Sequence, residues 1–469
     1  MNDLLLTGKL DALLSHADAA MGDAEARLCD FLRIPSISAQ PAHAADCVRA
    51  GEWARDQLRG LGFTADLKQT RGHPCVLAHH PGPGPNAPHL LFYGHYDVQP
   101  ADPVDLWTNP PFEPTRTDGP NGPHIVARGA TDDKGQVVSW IEAFRAWTEH
   151  GGGLPVQVTC LIEGEEEVGS LNLDPFLEEN RDALSRADIA VISDTPMWNI
   201  DTPSITTRLR GMAYVELALH ASRRDLHSGM YGGVARNPLT LLASILGQIH
   251  DADGHVTIPG FYEGVPEVSP AQLAEWEGLH FDEAAFLGDI GLSVTAGERN
   301  LPALVRLWAR PTAELNGIWG GYMGAGAKTV IPTSAHAKIS FRLVGDQDPE
   351  AVVAAFERFV RARLPADVRA DFQLFGASPG IEVPTDSAYV RAARAVLEAE
   401  YGSKSILMGC GGSIPVVGSF RRLLGIDSLL LGFGLDDDQA HSPDEKFELT
   451  CFRHAIRSHI RLMGELGAA

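Results

Sequence analysis

The amino-acid sequence predicts an α/β protein, in which a mostly parallel sheet with helices on both faces is interrupted by a smaller inserted α+β domain. The chain has 469 residues, more than one hydrophobic core ordinarily organises, so two domains are expected. Helix and strand patterns alternate over residues 1–206 and resume over 384–469, which is typical of βαβ units. Over 207–383, strands of alternating polarity flank two helices, which favours a one-sided sheet.

The larger domain is predicted from two kinds of hydrophobic pattern. Short apolar runs are typical of strands buried in a parallel sheet, and apolar residues every three or four positions are typical of helices. The helix that starts at Asp132 has acidic residues in its first turn, where the helix dipole favours negative charge. In chain order, the elements are helices over 24–31 and 47–61, a strand over 90–93, a helix over 132–150, and strands over 156–162 and 189–193.

The inserted domain is predicted from period-two alternation, which is typical of half-exposed strands. Its elements are strands over 213–221, 337–344 and 368–375, and helices over 237–250 and 349–364. The stretch 251–300 is rich in glycine, proline and acidic residues and has weak periodicity. We therefore expect a surface excursion there.

Composition argues against several classes of function. A net charge of -23 disfavours nucleic acid or an anionic membrane as a partner, although solubility also explains it. Six cysteines without a CxxC pair disfavour a disulfide framework. The start of the chain has no basic signal region, and no run of about 18 apolar residues occurs, so a cytoplasmic protein is expected. No phosphate-binding glycine loop opens an early helix, which disfavours a nucleotide-dependent enzyme.

Acidic and histidine residues follow several of the predicted strands. One such residue is usually a helix cap or a solvated loop residue, so the prediction depends on the whole set. In an open α/β sheet, ligands bind beyond the carboxyl ends of the strands, which favours one shared site. The residues are His95 and Asp97 after strand 90–93, Asp132 at the start of helix 132–150, Glu163 to Glu167 after strand 156–162, Asp194 after strand 189–193, and His441 after the apolar run 429–433.

Converging carboxylates predict bound cations. Two carboxylates about 4 Å apart repel by roughly 4 kcal/mol at an effective dielectric constant near 20. Mixed imidazole and carboxylate ligands suit zinc, with manganese or cobalt as alternatives. The set exceeds what one ion needs, so we expect two divalent metal ions about 3.5–4 Å apart, bridged by one acid.

Seven short segments concentrate these residues and several glycines. In order they are GHYDVQP (94–100), ARGATDDKG (127–135), EGEEEVGS (163–170), SDT (193–195), DLHSG (225–229), GGSIPV (411–416) and AHSPDEK (440–446). Together they resemble the co-catalytic zinc aminoacylase, carboxypeptidase and dipeptidase family. The carnosine-dipeptidase-like branch is the most similar, and acetylornithine deacetylase and succinyl-diaminopimelate desuccinylase are more distant members.

The resemblance implies a metal ligand set. His95 and Asp194 would bind one ion, Glu167 and His441 would bind the other, and Asp132 would bridge them. In this family the peptide bond after the bridging aspartate is often cis.

The resemblance also implies two catalytic residues, Asp97 and Glu166. Asp97 would orient His95, which is a recurrent device for imidazoles that bind metals. Glu166 would be the general base, which takes a proton from a metal-activated water and returns it to the leaving amine. Spacing alone leaves this choice open between Glu166 and the neighbouring glutamates of the segment.

Four further residues would bind substrate if the resemblance holds. His227 would polarise the scissile carbonyl, often from the other subunit, which implies a homodimer through an inserted lid domain. Arg342 would clamp a free carboxylate, and Thr329 and Ser413 would add hydrogen bonds. Without the resemblance, the simpler interpretation is that His227 is an ordinary turn histidine and Arg342 a solvent-facing strand arginine.

The expected function is hydrolysis of dipeptides or short peptides that have a free C-terminal carboxylate. The alternatives are a deacylase of N-acyl amino acids with the same metal chemistry and a catalytically silent scaffold. Cys410 stands where the most similar dipeptidases carry glutamate, and the loop near Ala377 lacks an expected histidine. Both departures predict a smaller, less polar pocket, which argues against a carnosine-like substrate.

Overall fold

The computed structural model describes residues 2–412 and 414–468, and the side chains from residue 8 onwards within these ranges. Ser413 lies outside the described residues. The helices are α1 (Asn2–Ala19), α2 (Met21–Leu32), α3 (Ala44–Gly60), α4 (Lys134–His150), α5 (Leu173–Glu179), α6 (Arg181–Leu184), α7 (Ser228–Tyr231), α8 (Pro238–Leu246), α9 (Pro270–Glu277), α10 (Glu283–Asp289), α11 (Ala303–Ala309), α12 (Pro349–Arg361), α13 (Ala388–Tyr401), α14 (Pro415–Ser419) and α15 (Leu449–Ala468).

The strands alternate with these helices in the first part of the chain and are longest in the middle. They are β1 (Thr64–Lys68), β2 (Cys75–His80), β3 (His89–His95), β4 (Thr115–Gly119), β5 (Gly122–Val126), β6 (Gln157–Glu163), β7 (Ile189–Ile192), β8 (Ser204–Leu209), β9 (Gly211–His220), β10 (Leu226–His227), β11 (Thr312–Gly320), β12 (Val330–Ile331), β13 (Ser334–Leu343), β14 (Arg369–Ser378), β15 (Ile381–Glu382), β16 (Ile406–Cys410), β17 (Ser428–Leu430) and β18 (Lys446–Glu448).

The chain folds into two compact units. The larger unit comprises Met1–Thr207, Val383–Met408 and Pro415–Ala469, and the smaller unit comprises Arg208–Glu382 and Gly409–Ile414. The sequence-based boundaries assigned all of 384–469 to the larger domain. The structure instead groups Gly409–Ile414 with the smaller unit. Contacts between residues that are far apart in the sequence determine this grouping.

The larger unit is built on a mixed sheet whose centre is parallel. Its strands lie in the order β1-β2-β6-β3-β7-β17-β8. The four neighbours β6, β3, β7 and β17 run parallel, whereas β1, β2 and β8 pair antiparallel at the sides. All residues of β3 and β7 are buried, which is typical of central strands covered on both faces. The predicted α/β fold class is confirmed.

Helices bury their apolar faces against this sheet. Helix α4 is buried over most of its length, and the rings of Trp140 and Phe144 pack with Phe92 of β3. Each fully buried aromatic or aliphatic side chain contributes about 1.5–3 kcal/mol, so this layer is a main source of stability. Helix α15 packs along α4, where Trp147 donates its indole N–H to the carbonyl oxygen of Ile460 over 3.1 Å.

The smaller unit is α+β, as predicted. Its antiparallel sheet has the order β11-β13-β9-β14. Alternate residues of β9 are buried, and helices α8 and α12 pack against this strand. Helix α12 begins where the Asp348 carboxylate accepts the N–H of Glu350 over 2.9 Å, with Pro349 in the first turn.

Two predictions for the smaller unit differ from the structure in extent. Helix α8 starts after Asn237 as predicted but ends at Leu246, because the chain turns there to form a β-bridge between His250 and Val256. The expected surface excursion 251–300 contains the short helices α9 and α10.

Two expectations from composition can be compared with the structure. All six cysteines are free of disulfides, as expected. Among the described residues, no helix combines the length and apolar character needed to cross a bilayer.

Candidate active site

The carboxyl ends of the parallel strands bring the predicted metal ligands together. His95 is the last residue of β3, and Asp194 follows β7 by two residues. Glu167 lies in the 3-10 turn after β6, and Asp132 lies two residues before α4. His441 lies in the loop between β17 and β18. Because β3, β6, β7 and β17 run parallel, their carboxyl ends meet at one edge of the sheet.

These five side chains form two groups that share Asp132. His95, Asp132 and Asp194 each offer a ligand atom within 4.8 Å of the others, and so do Asp132, Glu167 and His441. The His95 Nε2 atom lies 3.1 Å from Asp132 Oδ1 and 4.0 Å from Asp194 Oδ2. The His441 Nε2 atom lies 2.9 Å from Asp132 Oδ2 and 3.2 Å from Glu167 Oε2. The peptide bond between Asp132 and Asp133 is cis.

The surroundings of His95 fit a metal ligand. Its side chain is fully buried, and Nδ1 lies 3.0 Å from the carbonyl oxygen of Asp97. A carbonyl oxygen accepts only, so Nδ1 carries the hydrogen and the lone pair of the neutral ring is on Nε2. That buried Nε2 has no hydrogen-bond partner, and its contact with Asp132 is at ion-pair distance without hydrogen-bond geometry. A cation between the imidazole and the carboxylates would satisfy it.

The pKa values of the site without a cation also indicate that positive charge is lacking there. Burial, followed by the charges of Asp132 and Asp133, raises the pKa of Asp194 well above its ordinary value. Hydrogen bonds to Asp132 and Glu167 raise the pKa of His441 to about 10. Protons therefore stand in for positive charge that two divalent ions would supply.

Asp97 supports both the imidazole and the turn that follows β6. Its fully buried carboxylate accepts the backbone N–H groups of Glu166 over 3.2 Å and of Glu167 over 3.1 Å. Its Oδ1 atom also lies 3.4 Å from His95 Nδ1. One side chain thus connects the end of β3 with the turn that presents Glu166 and Glu167.

The structure distinguishes the glutamates that spacing leaves equivalent. Glu163 accepts the Tyr93 hydroxyl over 2.5 Å, and Glu165 accepts the Asn172 amide over 2.7 Å. Glu166, in contrast, has no hydrogen-bond partner for its carboxylate among the described residues. Burial, opposed by His95 and reinforced by the charge of Glu167, raises its pKa to about 7. A carboxylate with a pKa near neutrality suits proton transfer.

Two supporting residues were not predicted as part of the site. Gln99 donates its amide to Glu167 Oε2 over 2.7 Å, and Asp133 Oδ2 accepts the backbone N–H of His95 over 3.1 Å. Gln99 continues the every-second-residue spacing of His95 and Asp97, and this spacing could have indicated that its side chain lies on the same side of the chain. Asp132 and Asp133 are adjacent aspartates, so the sequence does not show that Asp133 has a separate supporting role.

A cavity of 410 Å³ in the larger unit opens beside Asp132 and Asp194. Its lining includes the polar residues Thr131, Gln136, Thr195, Gln439 and Ser442, together with the apolar residues Pro196 and Leu435. Two of the candidate metal ligands, Asp132 and Asp194, are therefore accessible to a small molecule.

In the smaller unit, His227 and Thr329 lie on one short ribbon. Strands β10 and β12 pair His227 with Val330, and the Ser228 N–H donates to the carbonyl oxygen of Thr329 over 3.1 Å. The exposed ring of His227 accepts the N–H of Gly229 at Nδ1 over 3.0 Å. Its Nε2 atom makes no hydrogen bond with any described residue.

Arg342 lies in β13, and a second arginine that sequence reasoning missed lies near it. Arg342 is half-buried and pairs across the sheet with Met212 of β9, and Arg210 lies one residue before that strand. Arg210 is 9% exposed, and its Nε has no hydrogen-bond partner. Burial, followed by the charge of Arg342, lowers its pKa to about 10.

Comparison with known proteins confirms the family seen in the seven segments. The family described as peptidase family M20/M25/M40 matches residues 91–465. A Cys-Gly metallodipeptidase of Schizosaccharomyces pombe is 31% identical over 478 aligned positions, which cover 98% of both chains. The human Beta-Ala-His dipeptidase is 30% identical over 454 positions, which cover 93% of this chain and 89% of the human one.

A solved structure has the same fold over nearly the whole chain. The structure of the dipeptidase Dug1p from Saccharomyces cerevisiae superposes with a TM-score of 0.81 at 27% identity, and covers 98% of this chain and 99% of that one. The family match over residues 91–465 includes all five candidate metal ligands. This chain is a metallopeptidase and belongs to peptidase family M20/M25/M40.

Proposed function

We propose that this protein is a dimetal-dependent dipeptidase that cleaves the amide bond of dipeptides or short peptides with a free C-terminal carboxylate. One observation carries the proposal: two groups of candidate metal ligands share Asp132 and lie beside an accessible cavity. The names of the relatives from Schizosaccharomyces pombe and human, both dipeptidases, support the same class of substrate.

We propose that His95, Asp132 and Asp194 hold one ion and that Asp132, Glu167 and His441 hold the other. Zinc suits this mixture of imidazole and carboxylate, and manganese or cobalt are alternatives. When bound, two divalent ions would supply the positive charge that lowers the pKa of water and polarises a carbonyl oxygen. The two ions would also replace the protons that, without metal, compensate the charge of Asp194 and of the acids around His441.

Glu166 is the proposed general base. Its carboxylate would take the proton of the attacking water at one oxygen and give it to the nitrogen of the leaving amine. A pKa of about 7 makes both transfers feasible near neutral pH. Asp97 would act by holding the backbone of Glu166 and the ring of His95 in place.

The proposed substrate-binding residues belong to the smaller unit. Arg342 would bind the free carboxylate, with hydrogen bonds from Thr329 and Ser413, because a guanidinium matches a carboxylate with two parallel donors. His227 would polarise the scissile carbonyl through its Nε2 atom. Arg210, the buried neighbour of Arg342, would add positive charge to the carboxylate side of the pocket.

A homodimer through the smaller unit is the proposed assembly. The segment after His227 exposes Met230 by 77% and Val234 by 94%, and the segment before Thr329 exposes Met323 by 75%. Large exposed apolar side chains concentrated on two neighbouring segments mark interaction surfaces more often than free surface. A second copy covering them would bring His227 close to a subunit boundary.

A panel of substrates tests the reaction class. Purified protein with excess zinc or manganese should hydrolyse dipeptides faster than N-acyl amino acids that carry the same C-terminal residue. Cys410 favours the competing deacylase, because its side chain is smaller and less polar than the glutamate expected at that position. Preference for the acylated compounds would replace the dipeptidase proposal with that alternative.

A further inference from the structure

The buried carboxylate of Glu445 binds the backbone that leads into Asp132. Its Oε2 atom accepts the Gly129 N–H and the Arg128 guanidinium, each over 2.8 Å. Its Oε1 atom accepts the N–H groups of Thr131 over 3.0 Å and of Asp132 over 3.1 Å. Both oxygens thus face donors only, which a glutamine amide could not match because its NH2 group donates.

A second buried carboxylate, Asp438, binds the same segment by its side chain. Asp438 Oδ2 accepts the Thr131 hydroxyl over 3.0 Å and the Leu435 N–H over 2.8 Å. Asp438 and Glu445 are both about 1% exposed or less, and they flank His441 in the chain. The loop that presents His441 is therefore attached on both sides to the segment that presents Asp132.

The conformation of this loop depends on such attachments. The backbone φ angles of Gln439, His441 and Asp444 are all positive, at 57°, 63° and 58°. Residues other than glycine rarely adopt such angles. The His441 side chain is 56% exposed, so packing does not fix it, whereas His95 is fully buried at the end of a strand. The two histidines of the site are thus held by different means.

We infer that Glu445 and Asp438 are positioning residues, which set the place of His441 relative to Asp132 and thereby the affinity of the ion held by Asp132, Glu167 and His441. The inference rests on the proposed dimetal site. The ion held by His95, Asp132 and Asp194 should depend on them less, because β3 and β7 fix His95 and Asp194.

Metal affinity tests the inference without recourse to activity. Metal-free protein is titrated with Zn²⁺ in competition with a chromogenic chelator, as wild type and as Glu445→Gln. One of the two wild-type affinities should fall by about 10- to 100-fold in the variant, and the other should change less than about threefold. Thr131→Val, which removes only the hydroxyl that binds Asp438, should weaken the same ion to a smaller degree.

Glu400→Gln is the matched control. Glu400 is an equally buried glutamate of the larger unit, hydrogen-bonded to His454, Arg457 and Arg461. Its replacement removes a buried charge and should leave both zinc affinities unchanged.

The outcomes separate the inference from the proposed function. Wild-type protein that binds fewer than two zinc ions would contradict the dimetal site itself. Two ions in wild type with unaltered affinities in Glu445→Gln would overturn the positioning role, even if the variant unfolds at a lower temperature. Should Glu445→Gln fail to fold, Thr131→Val decides, and equal affinities in that variant would also overturn it.

Discussion

The candidate metal ligands of the larger unit and the predicted substrate-binding residues of the smaller unit differ in how the chain supports them. Asp97 and Gln99, which follow β3, hold Glu167 and its turn through partly buried hydrogen bonds. His227 is exposed and bonds only to the nearby Gly229 backbone among the described residues. The larger unit therefore holds these ligands through hydrogen bonds from its own residues, whereas His227 has only a local backbone contact.

The largest expected effect tests the chemistry of the larger unit. Glu166→Gln should lower kcat by about 10²- to 10⁴-fold, because an amide cannot accept the proton of the attacking water. Zinc stoichiometry should stay at the wild-type value, since Glu166 belongs to neither ligand group. Steady-state kinetics and metal analysis of the same preparation check both statements.

Glu165→Gln is the control for that variant. Glu165 binds Asn172 and the backbone N–H of His73, away from the ligand groups. Its effect on kcat should be much smaller, and full activity in Glu166→Gln would remove Glu166 as the base.

A second prediction concerns stability that does not depend on the metal centre. Burial raises the pKa of Glu400, but hydrogen bonds from His454, Arg457 and Arg461 outweigh it and lower that pKa to about 2. A folded-state pKa below the ordinary 4.5 means that stability is present above pH 4.5 and is lost as the pH falls towards 2. Because the side chain is only 1% exposed, the contribution at pH 7 is roughly 3 kcal/mol.

Urea unfolding of Glu400→Gln checks this linkage. The variant should be less stable than wild type at pH 7, and the gap should narrow between pH 4.5 and pH 2. A gap that is independent of pH would mean that lost packing, and not the charge, causes the effect.

Metal removal sharpens the comparison between the two units. A ligand that binds only the native state adds about 2.7 kcal/mol at a concentration of 100 times its Kd. Chelation should therefore lower the Tm of wild type, and zinc should restore it. His95→Ala should lose most of this zinc-dependent shift, whereas Arg342→Lys should keep it, because Arg342 is outside both ligand groups. Differential scanning calorimetry with and without zinc measures the shifts.

The smallest expected effect is on substrate affinity. Arg342→Lys replaces two parallel donors with a point charge, so KM for a dipeptide should rise by about tenfold, with a smaller change in kcat. The control is a dipeptide amide, which lacks the carboxylate. Wild type and variant should cleave that amide at similar rates, and a KM that is unchanged for the free dipeptide would exclude Arg342 as the carboxylate clamp.

Much of the fold of the larger unit could be predicted, because its strands are uniformly apolar. The runs 90–93, 156–162 and 189–193 correspond to β3, β6 and β7 within a few residues. Strands β1, β4 and β5 were not predicted, since their residues are partly exposed and their patterns are mixed. Strands β1 and β4 lie at sheet edges, and such strands owe their structure to neighbours and not to a local hydrophobic signal.

The sequence by itself determined where the strands end and which acids and histidines follow them, because hydrophobic periodicity is a local property of the chain. Only the tertiary structure decided which glutamate after β6 has a carboxylate without a hydrogen-bond partner among the described residues. It also decided that Glu445 and Asp438 attach the His441 loop to the Asp132 segment. Those hydrogen bonds join residues about 300 positions apart in the chain. Such pairs form only when the sheet has brought the two segments to the same edge, and no periodic pattern encodes them.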